Sequence, residues 1–274
     1  MRTLDRAPNL AVLYPRALFR RASGGELPDS GVALREVAID PERLADYARV
    51  CGFGLSSVLP GTYPQVLAFP LAIALMSEPG FPFPLPGIVH VANTITQSRP
   101  VGTTEALSFE VHAENLRPHR RGRQFDIVTS AFVGDEPVWH STATYLRRGS
   151  GGSTGTRPDD EVLPPTAVWR VPAGIGRAYA AASGDRNPIH LHPLTARMFG
   201  FPRAIAHGMW VEARCLAALG GRIPDAYRVV VQFGKPLLLP STVDFGARER
   251  DGGWDLSVAS GGRPHLTGRV EPPS

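Results

Sequence analysis

The chain has 274 residues, 43% of them hydrophobic and 20% charged, with a mean hydropathy of -0.08. That composition reads as a soluble globular protein and excludes a collagen-like, disordered or bilayer-spanning chain. The net charge is +4 and the pI about 9.4, but the basic residues are scattered and follow no nucleic-acid-binding motif, so no nucleic acid is expected as a partner.

Residues 1–30 form an N-terminal extension carrying Arg16, Arg20 and Arg21 around Leu13, Leu18 and Phe19. A packed extension is expected, with an amphipathic membrane- or partner-binding arm as the alternative. Met1 to Arg6 are not followed by an apolar leader core, and no run approaches the ~20 apolar residues of a membrane span. Cys51 and Cys215 lack the CxxC spacing of a redox or zinc site, which points to two reduced, buried thiols and a cytoplasmic location.

Residues 31–148 make a first half and residues 166–274 a second, joined by a linker at 149–165. The linker signal starts at Arg147: Gly149-Ser150-Gly151-Gly152-Ser153-Thr154-Gly155 has nothing apolar to bury, and Pro164-Pro165 closes it. The two halves repeat one pattern. Tyr47-Ala48 with Gly52 matches Tyr179-Ala180 with Gly184 at the same spacing. Farther on, Arg99-Pro100 precedes Phe109 as Lys235-Pro236 precedes Phe245, and each half ends in a strand-like run, Val138 to Leu146 and His265 to Val270.

In the second half, residues 174–183 read as a short helix closed by Gly184, and Pro193 opens another that Gly200 ends. Met209 to Leu219 reads as a longer, mostly apolar helix stopped by Gly220-Gly221. Strands are expected at 227–233, 242–248, 254–259 and 266–270. One buried helix followed by a meander suggests an antiparallel sheet wrapped around it.

The chemistry concentrates between Ser183 and Met209. Gly184 ends a helix and Pro188 biases Asn187 away from helical angles, so Asp185 and His190 are expected on a fixed, non-helical connection with Asn187 between them. A carboxylate and an imidazole held this way can share a water, one taking its proton while the other donates elsewhere. Gly208 stands at the start of the long helix, where its N–H has no intrahelical partner and lies at the positive end of the dipole. That is a natural donor to a thioester carbonyl.

Ser183-Gly184-Asp185-Arg186-Asn187-Pro188-Ile189-His190 with Ile205-Ala206-His207-Gly208-Met209 resembles the signature of MaoC-like dehydratases, also called (R)-specific enoyl-CoA hydratases or hydratase 2. The resemblance covers about 165–274; the first half is less specifically similar to mycobacterial-type 3-hydroxyacyl-thioester dehydratases. It implies an α+β double hotdog, two antiparallel sheets each wrapped around a long central helix, with a working site in one half. It also implies reversible hydration of a trans-2-enoyl thioester to the (3R)-3-hydroxyacyl thioester. In that scheme Asp185 and His190 handle water and proton, Asn187 positions them and Gly208 N–H polarises the carbonyl, while His207, Met209 and Lys235 bind substrate. No cofactor and no metal are implied; the partner is an acyl-CoA or acyl carrier protein thioester, and a homodimer of double hotdogs is one assembly the resemblance allows.

Phe53 and Val58 occupy the first-half positions that match Asp185 and His190, so that half is expected to shape the acyl tunnel without catalysing. The helix position where some relatives carry a small polar residue is the apolar Leu216, which, with Met209, Trp210 and Val211, also reads as core. His190-Leu191-His192 lacks further metal ligands at suitable spacing. His207 also reads as a structural hydrogen-bonding residue. The basic cluster Arg117, His119, Arg120, Arg121 and Arg123 reads as a solvated hairpin, with a dock for CoA phosphates or an acidic carrier protein as the alternative. The rival functions are a hotdog thioesterase and a non-catalytic acyl-thioester-binding protein.

Overall fold

The computed structural model describes residues 1–18, 25–149 and 161–272. Phe19, Arg20 and Arg21 of the extension and residues 150–160 of the linker lie outside them. In chain order the elements are β1 (Arg2–Leu4), α1 (Leu10–Leu18), β2 (Val32–Val37), α2 (Pro41–Cys51), α3 (Tyr63–Met76), β3 (Ile88–Gln97), β4 (Leu107–His119), β5 (Gly122–Val133) and β6 (Glu136–Arg148). The second half adds β7 (Ala167–Val171), α4 (Ile175–Ser183), α5 (Pro188–Leu191), α6 (Pro193–Met198), α7 (Gly208–Leu219), β8 (Tyr227–Phe233), β9 (Ser241–Arg250), β10 (Gly253–Ser260) and β11 (Arg263–Glu271). This is the expected α+β double hotdog: each of two compact units has a sheet and a long buried helix.

One unit comprises the described residues of 1–39, 64–95 and 104–155. Its strands run in the order β1-β2-β4-β5-β6-β3, with β1 and β2 parallel and the β2–β4, β4–β5 and β5–β6 pairs antiparallel. The helix α3 is apolar on every side, and Val66, Leu67, Leu71, Ile73, Leu75 and Met76 are all buried. A helix without a polar stripe is stable only when enclosed, which is the place it occupies.

The other unit comprises residues 40–63 and 96–103 with the described residues of 156–274. Its strands run β8-β11-β10-β9-β7, every neighbouring pair antiparallel. The expected strands at 227–233, 242–248, 254–259 and 266–270 are β8 to β11, lengthened by up to three residues at their ends. The helix α7 buries Trp210, Val211, Ala213, Cys215, Leu216 and Leu219, so Leu216 is core. Leu163 is buried too, and its N–H donates to Ser257 Oγ at 3.0 Å.

Although α2 precedes the linker, it packs against α4 and α7 in this second unit. Its start is specified locally: Pro41 takes a position where no N–H is needed, and the Asp40 side chain accepts from the N–H groups of Glu42 and Arg43. From α2, Arg43 reaches the last carbonyls of α4, donating to Ala182 O at 3.0 Å and Ser183 O at 3.1 Å. The carbonyl of Val50 accepts the indole N–H of Trp210 on α7 at 3.0 Å. Two helices that carry the site are thus tied to a helix from the first half of the sequence.

Candidate active site

The helix α4 stops at Gly184, whose φ of 84° is left-handed and whose N–H returns to Ala180 O. The chain then turns on its own side chains. Asp185 N–H donates to Ser183 Oγ at 3.1 Å, and Asn187 N–H donates to Asp185 Oδ1 at 3.1 Å. Asn187 caps the next helix, its Oδ1 accepting from Ile189 N–H at 3.4 Å. Asp185 and Asn187 are therefore coupled through the backbone of the turn.

The expectation of a wholly non-helical connection needs correction at His190. Pro188 does hold Asn187 at extended angles, φ -56° and ψ 124°, but it then opens the one-turn helix α5, which contains His190. Proline at the first helical position after an asparagine cap favours such a start. His190 is 8% exposed. Its Nδ1–H donates to Ile205 O at 2.8 Å, which leaves Nε2 as the bare nitrogen. The same clip is closed from the other side by Ile205 N–H, which donates to Ile189 O at 3.1 Å. On the far face, Gly176 of α4 packs so closely that a Cβ there would run into the His190 carbonyl.

Residues 204–206 are held to 237–239, with Leu239 N–H donating to Ala204 O at 2.8 Å and Ala206 N–H to Leu237 O at 2.9 Å. This strand-like piece delivers His207 as the cap of α7 and Gly208 as its first residue. His207 is 2% exposed. Its Nε2–H donates to the backbone carbonyl of Asp185 at 3.0 Å and lies 3.8 Å from the Asp185 carboxylate. Its ring stacks on that of His190, centroids 3.6 Å apart, and the Tyr179 ring is 4.8 Å away on the other side. The Nδ1 atom of His207 is buried without a hydrogen-bond partner.

Burial pushes both imidazoles toward the neutral form. For His190 it lowers the pKa against the opposing pull of Asp185 and the Ile205 carbonyl. For His207 burial, reinforced by His190, brings it down to about 3. At neutral pH the cluster therefore presents one partly exposed carboxylate, Asp185, beside an uncharged imidazole that can accept a proton at Nε2. The first N–H groups of α7, Gly208 among them, have no carbonyl within the helix to bond and carry its positive end.

Asp185, His190 and His207 also bring donor atoms within 4.8 Å of one another. They do not converge as metal ligands. A ring nitrogen's lone pair lies in the ring plane, and these rings are stacked face to face, so their lone pairs run side by side. A tetrahedral cation needs them aimed at one point ~2 Å from each nitrogen. Each ring has also committed one nitrogen to a backbone carbonyl. His192 is spent elsewhere, its Nδ1 accepting from Leu194 N–H to cap α6.

Of the residues singled out in the sequence, Asp185, Asn187, His190, His207 and Gly208 come together here. Met209 follows Gly208 on α7 and is half-buried. Lys235 is not in this cluster; it is exposed on the connection from β8 to β9 and lines a separate concavity with Arg203 and Arg263. The matching first-half residues supply no acid or base: Phe53 stacks on Tyr47 at 6.3 Å, and Val58 bridges to Gly102. In the basic hairpin of β4 and β5, Arg117 grips Asp126 through both terminal nitrogens at 2.8 and 3.1 Å, and Arg123 lies over the Phe83 ring. Both cysteines are buried with thiols pushed up by burial, Cys51 to about 12, so neither is a nucleophile at neutral pH.

Sequence reasoning missed Arg43, which ties down the last turn of α4, and Gly176, which lets α4 approach α5. It counted Tyr179 only as part of the repeat; burial raises its phenol well above the ordinary range. Only Gly176 left a local signal, a glycine early in an otherwise alanine-rich helix.

The family described as MaoC like domain matches residues 154–253. The chain is 43% identical over 268 residues to 3-hydroxyacyl-thioester dehydratase X of Mycobacterium tuberculosis, covering 92% of this chain and 96% of that protein. It is 28% identical over 224 residues to 3-hydroxyacyl-thioester dehydratase Y of the same organism, covering 75% and 70%. A crystal structure of HtdX from Mycobacterium tuberculosis superposes with a TM-score of 0.81 at 43% identity, over 89% of this chain and all of that one.

Proposed function

The chain belongs to the MaoC-like dehydratase family, and on that premise we propose that it adds water reversibly to a trans-2-enoyl thioester, giving the (3R)-3-hydroxyacyl thioester. The observation that carries this reading is the pairing of the Asp185 carboxylate with the bare Nε2 of a neutral His190 beside the free N–H end of α7. In hydration, one of the pair takes a proton from water as its oxygen bonds to C3. The C2=C3 electrons move toward the thioester carbonyl, whose oxygen accepts from Gly208 N–H. The other member delivers a proton to C2, and dehydration reverses each step.

Asn187 acts on this chemistry by holding the Asp185 turn, and His207 by anchoring the Asp185 carbonyl from below. His207 and Met209 line the thioester end. The reaction moves only water and a proton, so these residues supply it without cofactor or metal. The first-half repeat, residues 31–148, serves as the degenerate hotdog: Phe53 and Val58 cannot transfer protons and instead shape the acyl channel. Either CoA or an acyl carrier protein can present the acyl group. No helix among the described residues is long and apolar enough to cross a membrane; with two buried thiols, that supports a cytoplasmic enzyme.

Following the loss of enoyl-thioester absorbance with crotonyl-CoA and longer homologues, with a thiol reagent in parallel, tests the reading. Absorbance should fall without thiol release. Thiol release in step with turnover would make the protein a thioesterase, and no turnover of any chain length would leave it a binding protein.

A further inference from the structure

A concavity of about 350 Å³ opens where the loop before α7, the β8–β9 connection and the start of β11 meet. Three cationic side chains line it, Arg203, Lys235 and Arg263, all exposed, and no carboxylate does. Gathering three like charges around one hollow is unfavourable unless an anion answers them. Two are guanidinium forks, whose planar donors match phosphate oxygens. The hydroxyls of Ser241 and Ser260 and the ring of Phe201 complete the walls.

The floor is fixed by backbone hydrogen bonds. Lys235 N–H donates to Pro264 O at 2.9 Å, and His265 Nδ1–H donates to Lys235 O at 2.8 Å. The other His265 nitrogen bonds Ser260 Oγ at 2.7 Å. Both ring nitrogens are therefore used, and burial lowers the His265 pKa. His265 is a fastener between the strands that carry Lys235 and Arg263, and does not act as a fourth cation.

The hollow is linked to the active site by a short extended stretch. From Arg203 the chain runs through residues 204–206, pinned to 237–239, straight into His207 and Gly208. Those five steps span at most ~17 Å, a reach that an extended pantetheine arm covers. A thioester carbonyl at Gly208 can thus keep its phosphates within reach of Arg203.

Resting on the hydratase reading above, we propose that Arg203, Lys235 and Arg263 form the site for the phosphates at the nucleotide end of coenzyme A, with Phe201 as a wall for its base. The site makes CoA, rather than a bare pantetheine thioester, the preferred carrier.

The test compares kcat/KM for crotonyl-CoA and for crotonyl-pantetheine, which has the same reacting end and no nucleotide. The ratio is measured in the wild type, in R203Q/R263Q and in R263E. The expected result is a wild-type preference for CoA that falls tenfold or more in R203Q/R263Q and further in R263E, through KM. Adenosine 3′,5′-bisphosphate should compete with crotonyl-CoA in the wild type and at least tenfold more weakly in the variants. An unchanged ratio in variants that still hydrate crotonyl-pantetheine overturns the phosphate site and leaves the hydratase reading standing. A wild type that hydrates neither thioester overturns both.

Discussion

Acidification from pH 7 to 4.5 should remove stability through His207, and the size of the loss follows from its surroundings. The imidazole is 2% exposed, donates to the Asp185 carbonyl and has its pKa pushed down to about 3, chiefly by burial and then by His190. In the unfolded chain the same ring takes up a proton as the pH falls through ~6.5. The unfolded state therefore binds the extra proton between about pH 6.5 and pH 3. The stabilisation is complete above that window and falls by ~1.4 kcal/mol per pH unit inside it. From pH 7 to 4.5 the loss attributable to His207 is about 2–3 kcal/mol. His190, also buried with a lowered pKa, acts in the same direction. The control is His207→Gln, whose amide can donate to the Asp185 carbonyl but does not titrate. Urea unfolding across the pH range should show the wild type losing about 2–3 kcal/mol more than the variant. Parallel curves would refute the reasoning, because the ring would then titrate alike in both states.

Three further perturbations separate packing from chemistry. Gly176→Ala would drive a Cβ into the His190 carbonyl, which is backbone and cannot swing aside; a cost of ~1–3 kcal/mol with a fall in kcat is expected, and an unshifted urea midpoint would contradict it. Gly208→Val places a Cβ 3.0 Å from the Phe233 ring and crowds the thioester oxygen, so kcat should drop ~100-fold with KM raised. A variant that melts early yet turns over normally when folded would make Gly208 structural. Val58→Ala should alter stability or chain-length preference while short enoyl thioesters are still hydrated; complete loss of turnover in the folded protein would count against a single working site.

Much of the site was legible because its geometry is local. Gly184, Asn187 and Pro188 act on the backbone within one or two residues, so the end of α4 and the turn at Asp185 follow from adjacent side chains. The helix α7 and strand β8 were equally plain, since apolar runs bounded by glycine or proline declare themselves. The one-turn α5 was misjudged because Pro188 constrains the residue before it and also starts a helix after it, and only the first effect was weighed. Arg43 was invisible for another reason: its partners, Ala182 and Ser183, lie about 140 residues away, and backbone carbonyls have no residue type to recognise. Lys235 was drawn into the reacting cluster by its place in the repeat, whereas the β8–β9 connection carries it to the neighbouring hollow.

The central claim is that Asp185 and His190 together move the water and its proton. It is tested most directly by kcat/KM for crotonyl-CoA hydration in Asp185→Asn and His190→Ala, each shown by thermal melt to be folded. General acid–base groups contribute ~10²–10⁴-fold, so each variant should lose at least ~100-fold of the wild-type rate. Near-wild-type rates in both folded variants would contradict the account.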